Sequence, residues 1–225
     1  MSWILAAALL SAPPAETSAA ELTPAQAAEK IDSLPTGTLI FSSGDCLAVR
    51  AYTRSRFTHV AAVVDSEKGP VVYDSTNGTG VRRQELADYL KSQSPGEVHI
   101  VRPRCDFTKP QCQRFCAELE EHLGRPYAVG HHVTGKRAKG VHCSEYVMDA
   151  LMAAGVMTAK NPARVSPASL HRGIHEKQTY VPEWTVTLCD IPGEKGTGWC
   201  SQAWIDTKRC TKRCYLKMRG WFCCY

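Results

Sequence analysis

What this chain lacks narrows the field before any motif is read. Its 225 residues carry a formal net charge of only +5, and no arginine-rich stripe interleaved with aromatics runs through them, so no nucleic-acid partner is expected. The charge favours at most a weak attraction to anionic surfaces such as a cell wall or lipid headgroups. No apolar run is long enough to span a bilayer, since the run at residues 3–10 falls well short of the ~20 residues a spanning helix needs. There is no internal repeat and no long low-complexity tract, which removes solenoids and extended linkers. His131-His132 with His142 and Cys143 match no strong zinc-ligand spacing, and no metal or other cofactor is expected.

Cysteine, by contrast, is abundant: the chain has 11. Export to an oxidising compartment would account for that number. Were ten of them paired, one would stay free, which is what a cysteine enzyme in such a compartment needs. The first 20 residues fit the same picture. Trp3 to Leu10 forms a short apolar core and Ser18-Ala19-Ala20 offers an A-x-A-like cleavage site, although no lysine or arginine precedes it. The expected plan is a signal peptide at 1–20, a single domain at 21–183 and a cysteine-rich extension at 184–225. Location would be secreted, periplasmic or in the cell envelope.

Periodicity places the elements. Thr23-Pro24-Ala25-Gln26 is a capping-box opening with proline at the first helical position. Strands are expected at residues 38–41, 59–64, 70–74 and 98–101, with Ser66-Glu67-Lys68-Gly69 as a hairpin connection. Helices are expected around residues 46–52 and 83–90. Cys112, Cys116, Leu119 and Leu123 mark one face of another that ends at Gly124, and Ser166-Pro167 opens a last short one. A thiol in mid-helix gains nothing from the helix dipole, so Cys112 and Cys116 read as packed or bridged.

One segment carries chemistry. Val-His-Cys-Ser-Glu-Tyr-Val at 141–147 puts Cys143 in the first turn of a helix whose apolar stripe is Tyr146, Val147, Ala150, Leu151 and Ala154, with Gly155 as its stop. Unpaired N–H groups and the positive dipole end favour a thiolate there, and the thiolate is the nucleophile. A buried structural thiol or half a disulfide fits the same stretch, so a histidine is needed. His59 opens a strongly apolar strand and is placed to reach a cleft. Asp74, at the end of the next strand, is placed to accept the other ring N–H and fix the tautomer. Read separately, His59 also fits a structural histidine, and Asp74 before Ser75-Thr76-Asn77-Gly78 fits a turn former.

Taken together, Gly37-Thr38-Leu39-Ile40-Phe41, Thr58-His59-Val60-Ala61, Val72-Tyr73-Asp74, Gly124-Arg125-Pro126-Tyr127 and Cys143-Ser144-Glu145-Tyr146-Val147 resemble the circularly permuted papain-like cysteine hydrolases of the YiiX/YebB type. Those are relatives of NlpC-type cell-wall peptidases and of lecithin:retinol acyltransferase. In the permuted order the histidine strand precedes the cysteine helix, as here. The resemblance implies an α+β domain with helices packed on a small, mainly antiparallel sheet. It also implies His59 as base, Cys143 as nucleophile and Asp74 where the group carries a polar residue, often glutamate. Two positions depart from the pattern: Thr38 stands where aspartate commonly opens the first strand, and Ala128 where aspartate usually follows the Gly-x-Pro-Tyr segment.

The expected activity is cleavage of an amide bond, in a cell-wall peptide for an exported enzyme, through a thioester acyl-enzyme. A lipid acyltransferase or thioesterase using the same site is one rival; an inert binding module with a disulfide-rich tail is another. Cys46 also begins an apparent helix, but it lies only 13 positions before His59, too few for the unpermuted arrangement. Glu145 reads as a capping partner, His142 as a structural residue facing away from the thiol, and residues 135–140 as a mobile basic loop. The crowd of Cys189, Cys200, Cys210, Cys214, Cys223 and Cys224 would permit a metal knot, but secretion favours disulfides.

Overall fold

The computed structural model describes residues 21–31, 33–43, 55–130, 134–137, 139–181, 184–189, 198–201, 203–204, 207 and 211. The expected signal segment, the helix expected around Cys46, His131, His132 and the last four cysteines lie outside the described residues. None of the described helices is long and apolar enough to cross a membrane.

Six strands form one sheet: β1 (Leu39–Ser42), β2 (His59–Val64), β3 (Val71–Thr76), β4 (Gly80–Glu85), β5 (Gly96–Val101) and β6 (Trp184–Leu188). Their order is β4-β3-β2-β1-β5-β6, and every neighbouring pair is antiparallel. The inner strands are buried on both faces, which is why they read as unbroken apolar runs rather than alternating ones. Strand alternation still sorts the side chains. Leu39, Phe41, Val60, Ala62 and Val101 join one core, and Ile40, Ala61, Val63, Val72, Val98 and Ile100 the other.

The helices divide between those cores. α1 (Pro24–Lys30) and α2 (Leu86–Gln93) cover the second face; α3 (Lys109–Glu121), α4 (Cys143–Ala153) and α5 (Pro167–Glu176) cover the first. The architecture is the expected α+β arrangement. α1 opens with the reciprocal Thr23–Gln26 capping box that the sequence announces. The buried face of α3 is centred on Phe115 and Leu119, which leaves Cys112 and Cys116 half-buried.

Two strands depart from expectation, and both lie at sheet edges. Residues 83–90 were expected as a helix, but Gly80–Glu85 is strand β4 and the helix starts at Leu86. β4 has a single apolar side chain, Val81, so no alternation betrays it. The change of character at Trp184, drawn as a domain boundary, falls at the start of β6. Only Val186 and Leu188 of that strand are buried, and composition there is already drifting toward the basic tail.

A second connection positions the α4 helix. Gly80 has φ +76°, and a Cβ on it would stand 2.2 Å from the Arg125 carbonyl oxygen. That clearance lets the 124–126 segment lie against β4, with Val81 N–H donating to the Arg125 carbonyl at 2.8 Å and Gly124 N–H to the Val81 carbonyl at 2.9 Å. Val141 N–H then donates to the Pro126 carbonyl at 2.9 Å, and Ser75 Oγ to the Val141 carbonyl at 2.8 Å. The sheet thus holds the entry to α4 two residues before Cys143.

Candidate active site

Cys143 is the first residue of α4, and its sulfur is buried at the end of the sheet where β2 begins. α4 is buried from Cys143 to Leu151 on all sides, not only along its apolar stripe. The far side is covered by residues 135–137 and 139–140 and by a 3-10 turn at Pro162–Arg164, so the polar residues on that side need partners. Ser144 Oγ donates to the Val165 carbonyl at 2.6 Å. Arg137 reaches in from the basic loop, pairs with Asp149 and stands 3.7 Å from Glu145 Oε1. Expected to be mobile, that loop is instead anchored: Arg137 holds two buried carboxylates, and Arg125 Nε donates to the Lys139 carbonyl at 3.2 Å.

The helix is capped by an unexpected residue. His142 is the N-cap, its Nδ1 accepting from Glu145 N–H at 3.3 Å while Nε2 donates to the Ala163 carbonyl at 2.9 Å. Glu145 does not close a reciprocal capping box; its carboxylate lies 3.7 Å from His142 Nε2. The His142 ring does not face away from the nucleophile position, because it hydrogen-bonds the Cys143 side chain. Burial lowers the proton affinity of His142 most, and contact with Cys143 outweighs it and raises it.

His59 and Asp74 converge on the same place. Both lie on the second-core face by strand alternation, and His59 Nε2 is 3.2 Å from Asp74 Oδ2. The approach suits an ion pair, although the ring N–H is not aimed along a hydrogen-bond line. Cys143 and His59 lie close enough for each to shift the other's proton affinity. Asp74 is fully buried and is held from its far side by Arg82, whose Nε donates to Oδ1 at 2.9 Å. Arg82 sits directly opposite Asp74 in the β3–β4 register. The Tyr89 ring stacks on His59 with centroids 6.4 Å apart.

The electrostatics follow from these contacts. Burial opposes ionisation at all three positions and is the largest effect on each. Even so, hydrogen bonds and charge from His142 and His59 bring the Cys143 thiol down from 9.0 to about 6. Asp74 and Cys143 push the His59 imidazole up from 6.5 to about 10, and His59 with Arg82 holds the Asp74 carboxyl below its ordinary range. Between those limits the pair is thiolate and imidazolium. Moving the thiol that far takes about 4 kcal/mol of preference for the thiolate. A helix terminus supplies only about 0.3–2 kcal/mol, so the histidines, not the dipole, decide the charge state.

Among the described residues one cluster of three such side chains could hold a metal ion: Glu118, His122 and Asp149, whose ligand atoms lie within 4.8 Å of one another. Arg137 on Asp149 and Arg125 Nη1, 3.1 Å from His122 Nδ1, already bring positive charge to that group. The sequence-derived candidates Cys143, His59 and Asp74 are thus brought together. His142, Arg82 and Tyr89 were missed as their neighbours.

Comparison with known proteins places the chain in a family. A family described as "Permuted papain-like amidase enzyme, YaeF/YiiX, C92 family" matches residues 33–187. Among solved structures, the crystal structure of metalloprotein yiiX from Escherichia coli O157:H7 aligns over 68% of this chain and 88% of its own, with 20% sequence identity and a TM-score of 0.47. No curated protein matches. With the family model matching residues 33–187, which hold β1 to β5, most of β6 and the Cys143 helix, the chain belongs to the permuted papain-like amidases of the C92 family, which are cysteine hydrolases.

Proposed function

We propose that this chain hydrolyses an amide bond of a cell-wall peptide through a thioester acyl-enzyme, with Cys143 as nucleophile, His59 as acid–base and Asp74 as its charged support. The observation that carries the reading is the burial of Cys143, His59 and Asp74 together, with His59 Nε2 3.2 Å from Asp74 Oδ2; Cys143 and His59 favour thiolate and imidazolium in each other. The sulfur attacks the carbonyl carbon, and charge collects on the carbonyl oxygen. The N–H groups of Cys143 and Ser144 precede the first intrahelical bond of α4 and are suited to receive that charge. Collapse breaks the C–N bond, and the leaving amine takes the His59 proton. Neutral His59 then removes a proton from water as its oxygen attacks the thioester. The C–S bond breaks and the thiolate–imidazolium pair is restored. Asp74 remains ionised throughout and favours the imidazolium.

The location and substrate rest on different grounds. Export is supported by the first 20 residues, not by bridges: Cys105, Cys112, Cys116, Cys143, Cys189 and Cys200 are all unbridged. A wall peptide is the amide polymer that an exported amidase would meet.

The test is digestion of purified wall peptides by the chain and by Cys143→Ala, scored by new amines and by mass. New amines from the parent alone support the reading. Hydrolysis confined to acyl esters would transfer the site to the thioesterase class, and equal turnover by Cys143→Ala would remove Cys143 from the chemistry.

A further inference from the structure

The cysteine site leaves unused a pair of histidines on α5. His171 and His175 are one helical turn apart, so both project from the same side of the helix. Their Nε2 atoms face each other at 3.2 Å, with ring centroids 4.4 Å apart. Both line a cavity of about 540 Å³ together with Ser55, Phe57 and Glu176. The His171 ring is held in place by packing, edge-on to Phe41 with centroids 5.1 Å apart and tilted against Phe57 at 4.4 Å.

From this geometry we propose that His171 and His175 form a two-imidazole site for a borderline divalent cation, zinc, nickel or copper, whose remaining positions open into the cavity. Zinc–imidazole bonds of about 2.0–2.1 Å at a tetrahedral angle put two ligand nitrogens about 3.3–3.4 Å apart, close to the separation already present. Histidines at i and i+4 on one helix face are a known zinc-holding arrangement, and imidazole suits these three ions above magnesium or calcium. Where the nitrogens face each other, one donates a proton to the other. Bound metal would take both lone pairs, and the displaced proton would move through solvent to Nδ1 of the donor ring. The rings have little motion left to lose on binding, because aromatic packing has already fixed one of them.

Charge at the site is compatible. Arg56 and Arg172 also line the cavity but are exposed, so water screens them. Arg56 is further engaged with the face of Phe57 at 4.9 Å, and the Glu176 carboxylate offsets part of the positive charge. The two nitrogens and open volume differ from the Glu118, His122 and Asp149 group, where one guanidinium already pairs with Asp149 and another contacts the His122 ring.

The experiment is equilibrium dialysis of the full chain and of His175→Gln against micromolar free zinc, so that binding by cysteines is common to both and cancels. His175 is chosen over His171 because it makes fewer aromatic contacts, and equal melting temperatures in chelator establish that the variant is folded. In parallel, histidines of the unmutated chain are carbethoxylated with and without zinc. Trypsin cuts at Arg172, so His171 and His175 fall on separate peptides and report independently. The site predicts that His175→Gln loses one zinc per chain and that zinc protects both peptides. Equal zinc content in parent and variant, or no protection of His175 by zinc in the unmutated chain, would overturn the proposal.

Discussion

His59 Nε2 stands 3.2 Å from Asp74 Oδ2 across neighbouring strands, and the carboxylate it faces is fully buried. A buried carboxylate with no cation would protonate rather than stay charged. Asp74 keeps its charge because His59 and Arg82 flank it, and its charge in turn favours the His59 imidazolium.

Asp74→Asn removes that charge with little change of shape. If Asp74 has the proposed role, kcat/KM falls by about 10²–10⁴, while KM for the same substrate moves little. The alkylation midpoint of Cys143 rises in the same variant. Steady-state kinetics and labelling on one preparation check both, and an unchanged rate would remove Asp74 from the site.

Arg82→Gln acts one step further out. With Arg82 gone, the Asp74 carboxyl titrates closer to its ordinary range. A carboxyl held low contributes stability that is present above its unfolded pKa and lost as pH falls through the folded one. The acid limb of the unfolding curve therefore moves to higher pH in Arg82→Gln. Urea melts across the acid range measure this shift.

His142 has two separable duties. His142→Asn keeps an acceptor for the helix cap, whereas His142→Ala loses it and costs about 1 kcal/mol of stability. Both remove the hydrogen bond to Cys143, so both raise the thiol midpoint. Stability is expected to separate the two variants while the labelling profile groups them.

Arg137→Ala exposes the price of the buried outer face of α4. Glu145 and Asp149 lose their guanidinium; because Arg137 is 56% exposed and screened by water, the loss is about 1–3 kcal/mol. Burial already raises the Asp149 carboxyl despite Arg137, and the variant raises it further. A carboxyl held high destabilises the fold once ionised, so the deficit of Arg137→Ala shrinks as pH falls and Asp149 protonates. Chemical denaturation at neutral and acidic pH tests the trend.

These residues also show what was legible in the chain. The Cys143 helix and the His59 strand could be read because local signals define them: an apolar stripe with a glycine stop, and an apolar run opened by histidine. Arg82 could not, because it depends on the register of an edge strand with one apolar side chain. His142 is not one of the side chains that ordinarily cap helices, so nothing local marks it. Arg137 lies in a glycine-flanked basic stretch that resembles a free loop, and only the fold brings Asp149 and Glu145 beneath it. The helix dipole favours the Cys143 thiolate, as its place in the first turn indicates, but His59 and His142 lower the thiol further.

The central claim is that Cys143 is a thiolate at neutral pH because His59 is beside it. The most direct test is the pH dependence of iodoacetamide labelling, with the alkylated residue located by mass spectrometry, in the parent chain and in His59→Ala. The account predicts selective labelling of Cys143 with a midpoint near 6 in the parent and a shift toward the ordinary thiol value of 9.0 in His59→Ala. A Cys143 that is inert at neutral pH, or a midpoint that His59→Ala leaves in place, would contradict it.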